Sequence, residues 1–466
     1  MLYLNLDEFK NSLKEIVEYN EGGTSRIISE EKLRYELIDR LIYNAVFNGD
    51  VEISANCRYL IRTAAPLLGI YPSSIHDLYM AIGKGKYTGF TVPAINIRGM
   101  TYDVAQQIFE VVLKENVGPF IFEIARSEIG YTNQWPSEYS VAILAAAIKK
   151  GYKGPVFIQG DHFQVKAKIF KENENLEIEA IKVLIKDAID SGFYNIDVDT
   201  STLVDLSYDT IDEQQRLNYE ICALFTKHIR DLEPEGITVS VGGEIGEVGG
   251  KNSTPEELRG FMDGYLRVLK KEGDYTGISK ISVQTGTAHG GVPLPDGTIA
   301  KVKLDFSVLE TLGEIAKKEY GIGGVVQHGA STLPDELFHK FPEVKTLEIH
   351  LATGFQNIIY DHPAFPSEFK DEIYNLLRTK FIGDKKEGQT DEQFIYKTRK
   401  KGFGPFKKKF WDLPDDVKKP IMRSLYDKFH FLFEKLGTFN TRNVVEESIK
   451  PVFHKISLDR EKDMVK

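Results

Sequence analysis

Between residues 85 and 360 the chain alternates short apolar runs with longer helical segments, and this alternation limits the possible folds most strongly. The runs are four to eight residues long and rich in Val, Ile and Phe, which is typical of strands buried on both faces. The eight predicted strands are residues 90–97, 118–124, 156–159, 194–199, 237–241, 278–284, 323–327 and 346–351. Strands separated by helices form parallel sheets through right-handed crossovers. Eight is the number at which such a sheet closes, so the sequence predicts an α/β fold, a (β/α)8 TIM barrel.

Both ends of the chain lack this alternation and are predicted to be helical. In residues 30–48, Leu33, Leu37 and Leu41 recur at the spacing that forms one face of a helix. The sequence therefore predicts a helical N-terminal extension (1–84), a catalytic barrel (85–365) and a helical C-terminal extension (366–466). Basic runs at 397–401 and 407–409 are interpreted first as a solvated surface and second as an arm that contacts phosphate.

Composition excludes several classes of function. The net charge of −10 disfavours nucleic acids and acidic membranes as partners, because both attract basic proteins. Cys57 and Cys222 are far apart and belong to no CxxC motif, which favours reduced thiols and a cytoplasmic location. Acidic residues, Asp7 and Glu8, occur within the first eight residues, unlike in a signal peptide, and the apolar run 141–148 is too short to span a bilayer.

Titratable residues cluster where the predicted strands end, and this edge carries the chemistry of such barrels. In chain order, strands 3 to 8 contribute Asp161 with His162, Asp199, Glu244, His289, His328 and His350. Imidazoles from strands 3, 6 and 7 (His162, His289 and His328) would supply three ligands of a catalytic zinc site with an open fourth position. Co²⁺, Fe²⁺ or Mn²⁺ could replace Zn²⁺ at such nitrogen donors.

Small and hydroxylated residues follow strands 6 to 8, and they predict a phosphate site. Small residues allow backbone N–H groups to approach a ligand closely, and the last strands of these barrels commonly hold phosphate. These residues are Gly286, Gly290, Gly329, Ala330, Ser331, Ala352 and Thr353. Zinc beside phosphate indicates a phosphorylated substrate with an oxygen that a metal can polarise.

Over residues 85–360 the chain resembles the class II, metal-dependent ketose-bisphosphate aldolases. The resemblance depends on motifs in the family's order: Val92-Pro-Ala-Ile-Asn-Ile97, Asp161-His162, Val198-Asp-Thr-Ser201, Glu244-Ile-Gly-Glu-Val-Gly-Gly250, Gly286-Thr-Ala-His-Gly290, His328-Gly-Ala-Ser331 and Leu351-Ala-Thr353. It implies reversible cleavage of fructose 1,6-bisphosphate, or of tagatose 1,6-bisphosphate, to dihydroxyacetone phosphate and glyceraldehyde 3-phosphate. It also implies a cytoplasmic homo-oligomer, a dimer or tetramer, that works in carbohydrate metabolism.

The resemblance also implies roles for individual residues. His162, His289 and His328 would bind Zn²⁺, which would stabilise an enediolate, and a second or monovalent cation could accompany it. Asp161 would move the proton at the aldehyde oxygen. Asp199 and Glu244 would hold the histidines or form an alternative metal position. Substrate and its phosphate would contact Asn96, Ser127, Gly290, Gly329, Ala330, Ser331, His350, Ala352 and Thr353.

The chain departs from the family pattern at two points. His350 stands where the family usually has Asn, so the substrate's shape could differ. The loop after Gly249-Gly250 lacks the acidic residue that abstracts the enolisation proton in fructose-bisphosphate members. Glu247 is a candidate for this base, without support from its position.

These departures leave alternatives open. One is a non-catalytic or regulatory relative that binds a sugar phosphate, and another is an aldolase for a different sugar phosphate. A Schiff-base aldolase would require Lys280, which is predicted at the start of strand 6, away from the chemistry. A zinc hydrolase barrel is disfavoured because strand 1 contains no His-x-His motif.

Overall fold

The computed structural model describes residues 1–246, 251–286, 304–330 and 333–466, and a closed parallel barrel is its centre. In chain order the strands of the described residues are β1 (Val17–Asn20), β2 (Gly23–Ile27), β3 (Ile70–Ser73), β4 (Val92–Asn96), β5 (Ile121–Ala125), β6 (Gly154–Gln164), β7 (Asn195–Asp199), β8 (Ser240–Glu244), β9 (Lys280–Val283), β10 (Val325–Gln327) and β11 (Glu348–Leu351). Strands β4 to β11 pair in parallel with their neighbours in order. The pairing of β11 with β4 closes the ring. The predicted (β/α)8 barrel is confirmed.

Helices connect the strands and surround the barrel. They are Thr101–Lys114, Arg126–Thr132, Pro136–Lys150, Ala167–Glu172, Glu174–Asp190, Ile211–Leu232, Pro255–Glu272, Phe306–Tyr320, Lys340–Glu343 and Thr353–Asp361, with 3₁₀ turns at Ser201–Leu203 and Asp335–Leu337. In the helix Ile211–Leu232, Ile221, Phe225 and Ile229 recur every fourth residue and are buried. This spacing places them on one face, which packs on the barrel's outer side.

Residues before the barrel are helical, as predicted, but they also contain three strands. The helices are Leu6–Ser12, Glu30–Lys32, Ile38–Phe47, Val51–Leu67 and His76–Gly83, with a π-helical turn at Leu33–Leu37. β1 and β2 form an antiparallel hairpin, and β3 joins the barrel sheet. β3 pairs with the first half of β6, whose second half pairs with β7. The Asn195 amide fixes this junction, because it donates to the carbonyls of Ser73 (3.2 Å) and Ile158 (3.1 Å).

Residues after the barrel form helices that return to the N-terminal part of the chain. They are Ser367–Lys380, Asp391–Thr398, Lys407–Trp411, Asp415–Lys435, Arg442–Ser448 and Leu458–Asp463, with 3₁₀ turns at Ile382–Asp384 and Arg399–Gly402. Glu461 is fully buried, pairs with Arg62 at 3.3 Å and accepts a hydrogen bond from Ser137. The division into three units at residues 84 and 365 stays a prediction.

The basic run 407–409 is paired with acidic residues of the same chain. In the basic run 407–409, each lysine forms an ion pair within the chain, with Glu138, Asp412 and Glu372 in turn. These partners satisfy the charges of that run locally.

Among the described helices, none combines the length and the apolar character that a bilayer span requires.

Candidate active site

A β-bulge in β6 places Asp161 and His162 side by side at the barrel's C-terminal edge. Gly160 pairs with Ile196 and Phe163 pairs with Val198, so two residues of β6 face one residue of β7. Consecutive residues of a regular strand point to opposite faces, but both of these line the same cavity. The pair was predicted to follow the strand; instead the strand continues through it to Gln164.

The bulge requires unusual local geometry. His162 has a φ of +41°, a conformation that costs a residue with a side chain about 1–3 kcal/mol. Gly160 provides the space, because a Cβ atom there would lie 2.4 Å from the ring of Phe163. The buried Phe163 ring thus folds over Gly160 and holds the bulge in place.

Three imidazoles surround one carboxylate oxygen, Oδ1 of Asp161. His350 Nδ1 lies 3.2 Å from this oxygen, His328 Nε2 lies 3.5 Å from it, and His162 Nε2 lies 3.7 Å from it. The ring centroids of His162 and His328 are 4.2 Å apart, and those of His328 and His350 are 4.1 Å apart. Side chains from β6, from the residue after β10 and from β11 therefore meet at one point.

Two carboxylates fix the other side of the His162 ring. Its Nδ1 lies 2.8 Å from Asp199 Oδ2 and 3.2 Å from Glu244 Oε2. Burial raises the pKa of Asp199, but the hydrogen bond and charge of His162 outweigh burial and lower it to about 2. Burial and the Asp199 charge raise the pKa of Glu244 to about 7. A carboxylate on Nδ1 directs Nε2 of the same ring towards the cavity, as in many metal-binding histidines.

The pKa values of His328 and His350 are shifted in opposite directions. Burial and the neighbouring charges of His350 and His162 lower the pKa of His328 well below its usual value. His328 is therefore neutral, the form that binds metals. For His350, burial opposes the charge, but Glu123 and Asp161 outweigh it and raise its pKa.

The site opens into a cavity of about 220 Å³. Nine residues predicted from the sequence line it: Asn96, Ser127, Asp161, His162, His328, Gly329, His350, Ala352 and Thr353. Asp199 and Glu244 contact His162 behind the cavity wall, and Ala330 is buried beside Gly329. His289, Gly290, Ser331 and Glu247 lie outside the described residues.

Four charged or polar residues of the cavity wall were not predicted: Arg98, Glu123, Glu128 and Gln164. Arg98 Nε donates to Glu128 at 2.7 Å, and its Nη1 donates to Thr353 at 3.3 Å and to Gln356 at 3.0 Å. Glu123 interrupts the apolar run Phe120-Ile-Phe-Glu-Ile124. A charged residue inside a buried strand rarely lacks a partner, and this signal could have identified it.

Lys280 lies one layer deeper in the barrel than the histidines. Its ammonium is buried and contacts Glu348 Oε1 at 2.5 Å, Gln159 Oε1 at 2.7 Å and Asp197 Oδ1 at 2.9 Å. Gly242 leaves room for the Asp197 carboxylate that contacts this ammonium, since a Cβ there would lie 2.3 Å from Asp197 Oδ1. Burial lowers the pKa of Lys280, but Asp197 and Glu348 outweigh burial and raise it. Lys280 is thus a charged structural group and a poor nucleophile.

The donor set at the cavity fits a divalent metal. Asp161, His162 and His328 offer ligand atoms that lie within 4.8 Å of one another. Imidazole nitrogens suit Zn²⁺ and its first-row neighbours. The third predicted imidazole, His289, belongs to a part of the chain outside the described residues.

Comparisons with known proteins agree with this architecture. The sequence model of the family "Fructose-bisphosphate aldolase class-II" matches residues 77–400. No curated protein matches the chain in sequence.

Three similar solved structures are the following. A fructose-bisphosphate aldolase from Campylobacter jejuni is 19% identical, with 78% of this chain and 93% of that chain covered and a TM-score of 0.46. The YdjI aldolase from Escherichia coli K12 is 13% identical, with coverages of 79% and 99% and a TM-score of 0.41. A probable tagatose 6 phosphate kinase from Sinorhizobium meliloti 1021 is 12% identical, with coverages of 80% and 97% and a TM-score of 0.48.

Proposed function

The chain belongs to the class II fructose-bisphosphate aldolase family, and we propose that it is a zinc-dependent aldolase that cleaves a ketose bisphosphate. Fructose 1,6-bisphosphate is the first candidate substrate, and tagatose 1,6-bisphosphate is the second. The observation that carries the proposal is the position of Asp161, whose Oδ1 lies 3.2–3.7 Å from three imidazoles at the wall of one cavity. A general acid or base beside metal-binding histidines is what a metal-dependent retro-aldol reaction needs.

His162, His289 and His328 would hold the metal. When bound, Zn²⁺ supplies a Lewis acid that draws electron density from the ketone oxygen of the substrate. Asp199 and Glu244 keep the ring of His162 oriented for this role through Nδ1. These contacts already restrict the ring before a metal binds. Less conformational entropy is therefore lost when it does.

Asp161 would transfer the proton at the bond that breaks. In the cleavage direction its carboxylate takes the proton of the C4 hydroxyl, and C4 becomes the aldehyde carbon as the C3–C4 bond breaks. The electron pair of that bond passes to the ketone half of the substrate. Burial raises the pKa of Asp161, but His162 and His350 outweigh burial and hold it well below its usual value, so Asp161 starts as the carboxylate.

Arg98 would bind an anionic group of the substrate. Its guanidinium lines the cavity beside Thr353, and Glu128 and Gln356 fix its orientation. We expect Arg98→Met to raise KM for the bisphosphate by roughly 10- to 100-fold, since a hydrogen bond to a charged group contributes about 1.5–3 kcal/mol. Steady-state kinetics with the bisphosphate and with the 1-phosphate would check this. An unchanged KM for both substrates would contradict the role.

Removal of the metal is the decisive test of the whole proposal. We expect the purified protein to cleave one of the two bisphosphates in a coupled retro-aldol assay, to lose activity in EDTA and to regain it with Zn²⁺. A panel of ketose phosphates in the same assay would identify the substrate. Full activity after exhaustive chelation would refute metal dependence, and inactivity of the zinc-loaded protein on every ketose phosphate would favour a binding protein without catalysis.

The proposal extends to the protein's assembly and location. We propose that it acts in the cytoplasm as a homodimer or homotetramer. Sedimentation velocity of the purified protein would test the assembly, and a monomer at micromolar concentration would contradict it.

A further inference from the structure

A second cavity, of about 160 Å³, lies at the edge of the barrel where the strands begin. One of its walls is the loop 236–238, which precedes β8. The active site lies at the opposite edge, and no described residue lines both cavities. A function of this second cavity is therefore separate from the aldol chemistry.

The second cavity is built by three parts of the chain that are distant in sequence. Residues 72–77 precede the barrel, the loop 236–238 belongs to it, and residues 449–452 follow it. Ile237 and Ile449 are buried, and a Cβ atom on Gly236 would lie 3.7 Å from the methyl groups of Val452. These contacts join the barrel loop to the C-terminal segment, so the cavity is formed before a ligand binds.

His76 is a buried side chain in the wall of this cavity. It is 7% exposed, and its Nδ1 makes no hydrogen bond to any described residue. Burial and the charge of Arg230 lower the pKa of His76 to about 4, so the ring is neutral at pH 7 and carries one N–H donor. A buried nitrogen without a hydrogen bond is costly, and its position in a cavity wall indicates a ligand.

Further hydrogen-bond donors surround His76. Ser74 Oγ accepts from the backbone N–H of His76 at 3.1 Å, and its hydroxyl can donate in turn. Thr238 contributes a second hydroxyl to the wall, and Lys450 contributes an exposed ammonium. The helix His76–Gly83 begins at the cavity without a side-chain cap, and the N-terminal end of a helix carries a partial positive charge. The wall is therefore rich in donors.

The charges at the second cavity favour an anion. Among the described residues of its wall, Asp77 is the one acid, and it is exposed, so water and salt screen its charge. Lys450 and the first turn of the helix oppose it with positive charge. An anion in the cavity would receive hydrogen bonds from groups that otherwise depend on water.

We propose that this cavity binds a phosphate group, either as inorganic phosphate or as the head of a short phosphate ester. The donors would be His76, Ser74, Thr238 and Lys450. Donors on three separate segments suit an anion with more than two oxygen atoms, and a carboxylate has only two. The apolar side chains of Ile237 and Ile449 would contact the carbon chain of an ester.

The test is an NMR titration of the full-length protein with ¹³C-labelled histidine rings. The signal that disappears in His76→Asn belongs to His76. We expect inorganic phosphate to shift this signal to saturation, while sodium chloride at equal ionic strength leaves it in place. An unchanged His76 signal with phosphate and with glycerol 3-phosphate would overturn the proposal, and so would an equal shift with acetate.

The same titration separates the two sources of phosphate. Tighter binding of glycerol 3-phosphate would identify an ester as the ligand, and tighter binding of inorganic phosphate would identify the free ion. Because the His76 signal reports this cavity alone, the result does not depend on the outcome of the aldolase assay.

Two variants at the wall test the donors. We expect Lys450→Met to weaken phosphate binding roughly tenfold and Thr238→Val to weaken it about 2- to 10-fold, because each removes one hydrogen bond to the anion. The matched control is Lys380→Met, which removes the same charge from an exposed lysine of the helix Ser367–Lys380, outside the cavity. If Lys380→Met weakens binding as much as Lys450→Met does, the anion responds only to net charge, and the proposal fails.

Anomalous diffraction provides a measurement that does not depend on how His76→Asn folds. Crystals of the wild type soaked in selenate, a tetrahedral oxyanion like phosphate, should show a peak at the selenium edge within hydrogen-bond distance of His76. Selenate at the active site or on the surface, with none beside His76, would overturn the assignment.

Discussion

Asp161→Ala is expected to retain zinc and to lose nearly all turnover. The carboxylate would move the proton at C4, and general acid–base groups contribute roughly 10²–10⁴-fold to rate. His162, His289 and His328 remain in this variant, so the proposed ligand set is intact. We therefore expect kcat to fall by that factor while the zinc content, measured by atomic emission, stays at the wild-type value.

His162→Ala is the informative companion to this variant. It removes a proposed ligand, so both zinc content and turnover should fall. Asp212→Ala serves as the control, because Asp212 is an exposed aspartate paired with Arg267 on the surface and should change neither quantity. If Asp161→Ala loses zinc together with activity, Asp161 is a ligand of the zinc. If it keeps more than a tenth of wild-type kcat, another group transfers the proton.

The sequence predicts the barrel well because a parallel strand leaves a local signal. Strands buried on both faces are rich in apolar residues, and the eight predicted runs each overlap a strand of the barrel. β3 was missed for the converse reason. β3 is short, only Ile70-Tyr-Pro-Ser73, and it contains a proline. Its pairing with β6 is what identifies it as a strand.

Within the site, residue types were easier to predict than their geometry. The histidines and acids at strand ends follow from the position of each in its own strand, and His162, His328 and His350 indeed lie together. The bulge at Asp161 and His162 could not be predicted, because it depends on the packing of Phe163 over Gly160. Arg98 was missed because its role depends on partners distant in sequence, such as Thr353. Glu123 leaves a local signal, a charge inside an apolar run, but its partner His350 lies far away in the sequence.

The layer beneath the site shows how the fold and the site depend on each other. Tyr79, from the helix His76–Gly83, donates a hydrogen bond to Glu348, which also contacts Lys280 and lies 2.6 Å from His350 Nε2. A residue that precedes the barrel thus helps to hold a wall of the cavity. The charge of Lys280 balances carboxylates that would otherwise be buried without a partner, so its loss should be costly to stability.

Lys280→Met is expected to destabilise the protein by about 3–5 kcal/mol, the usual cost of removing one partner from a buried ion pair. Methionine fills similar space, so the loss would come from the charges of Asp197 and Glu348 that remain buried. Urea unfolding at pH 7 would measure this loss. Lys227→Met is the control, because Lys227 pairs with Asp231 at the surface and its loss should leave the stability nearly unchanged. In Lys280→Met/Glu348→Gln, removal of one stranded carboxylate should restore part of the loss. A change below about 1 kcal/mol in the single variant, or trapping of a substrate adduct on Lys280 by borohydride in the wild type, would contradict a purely structural lysine.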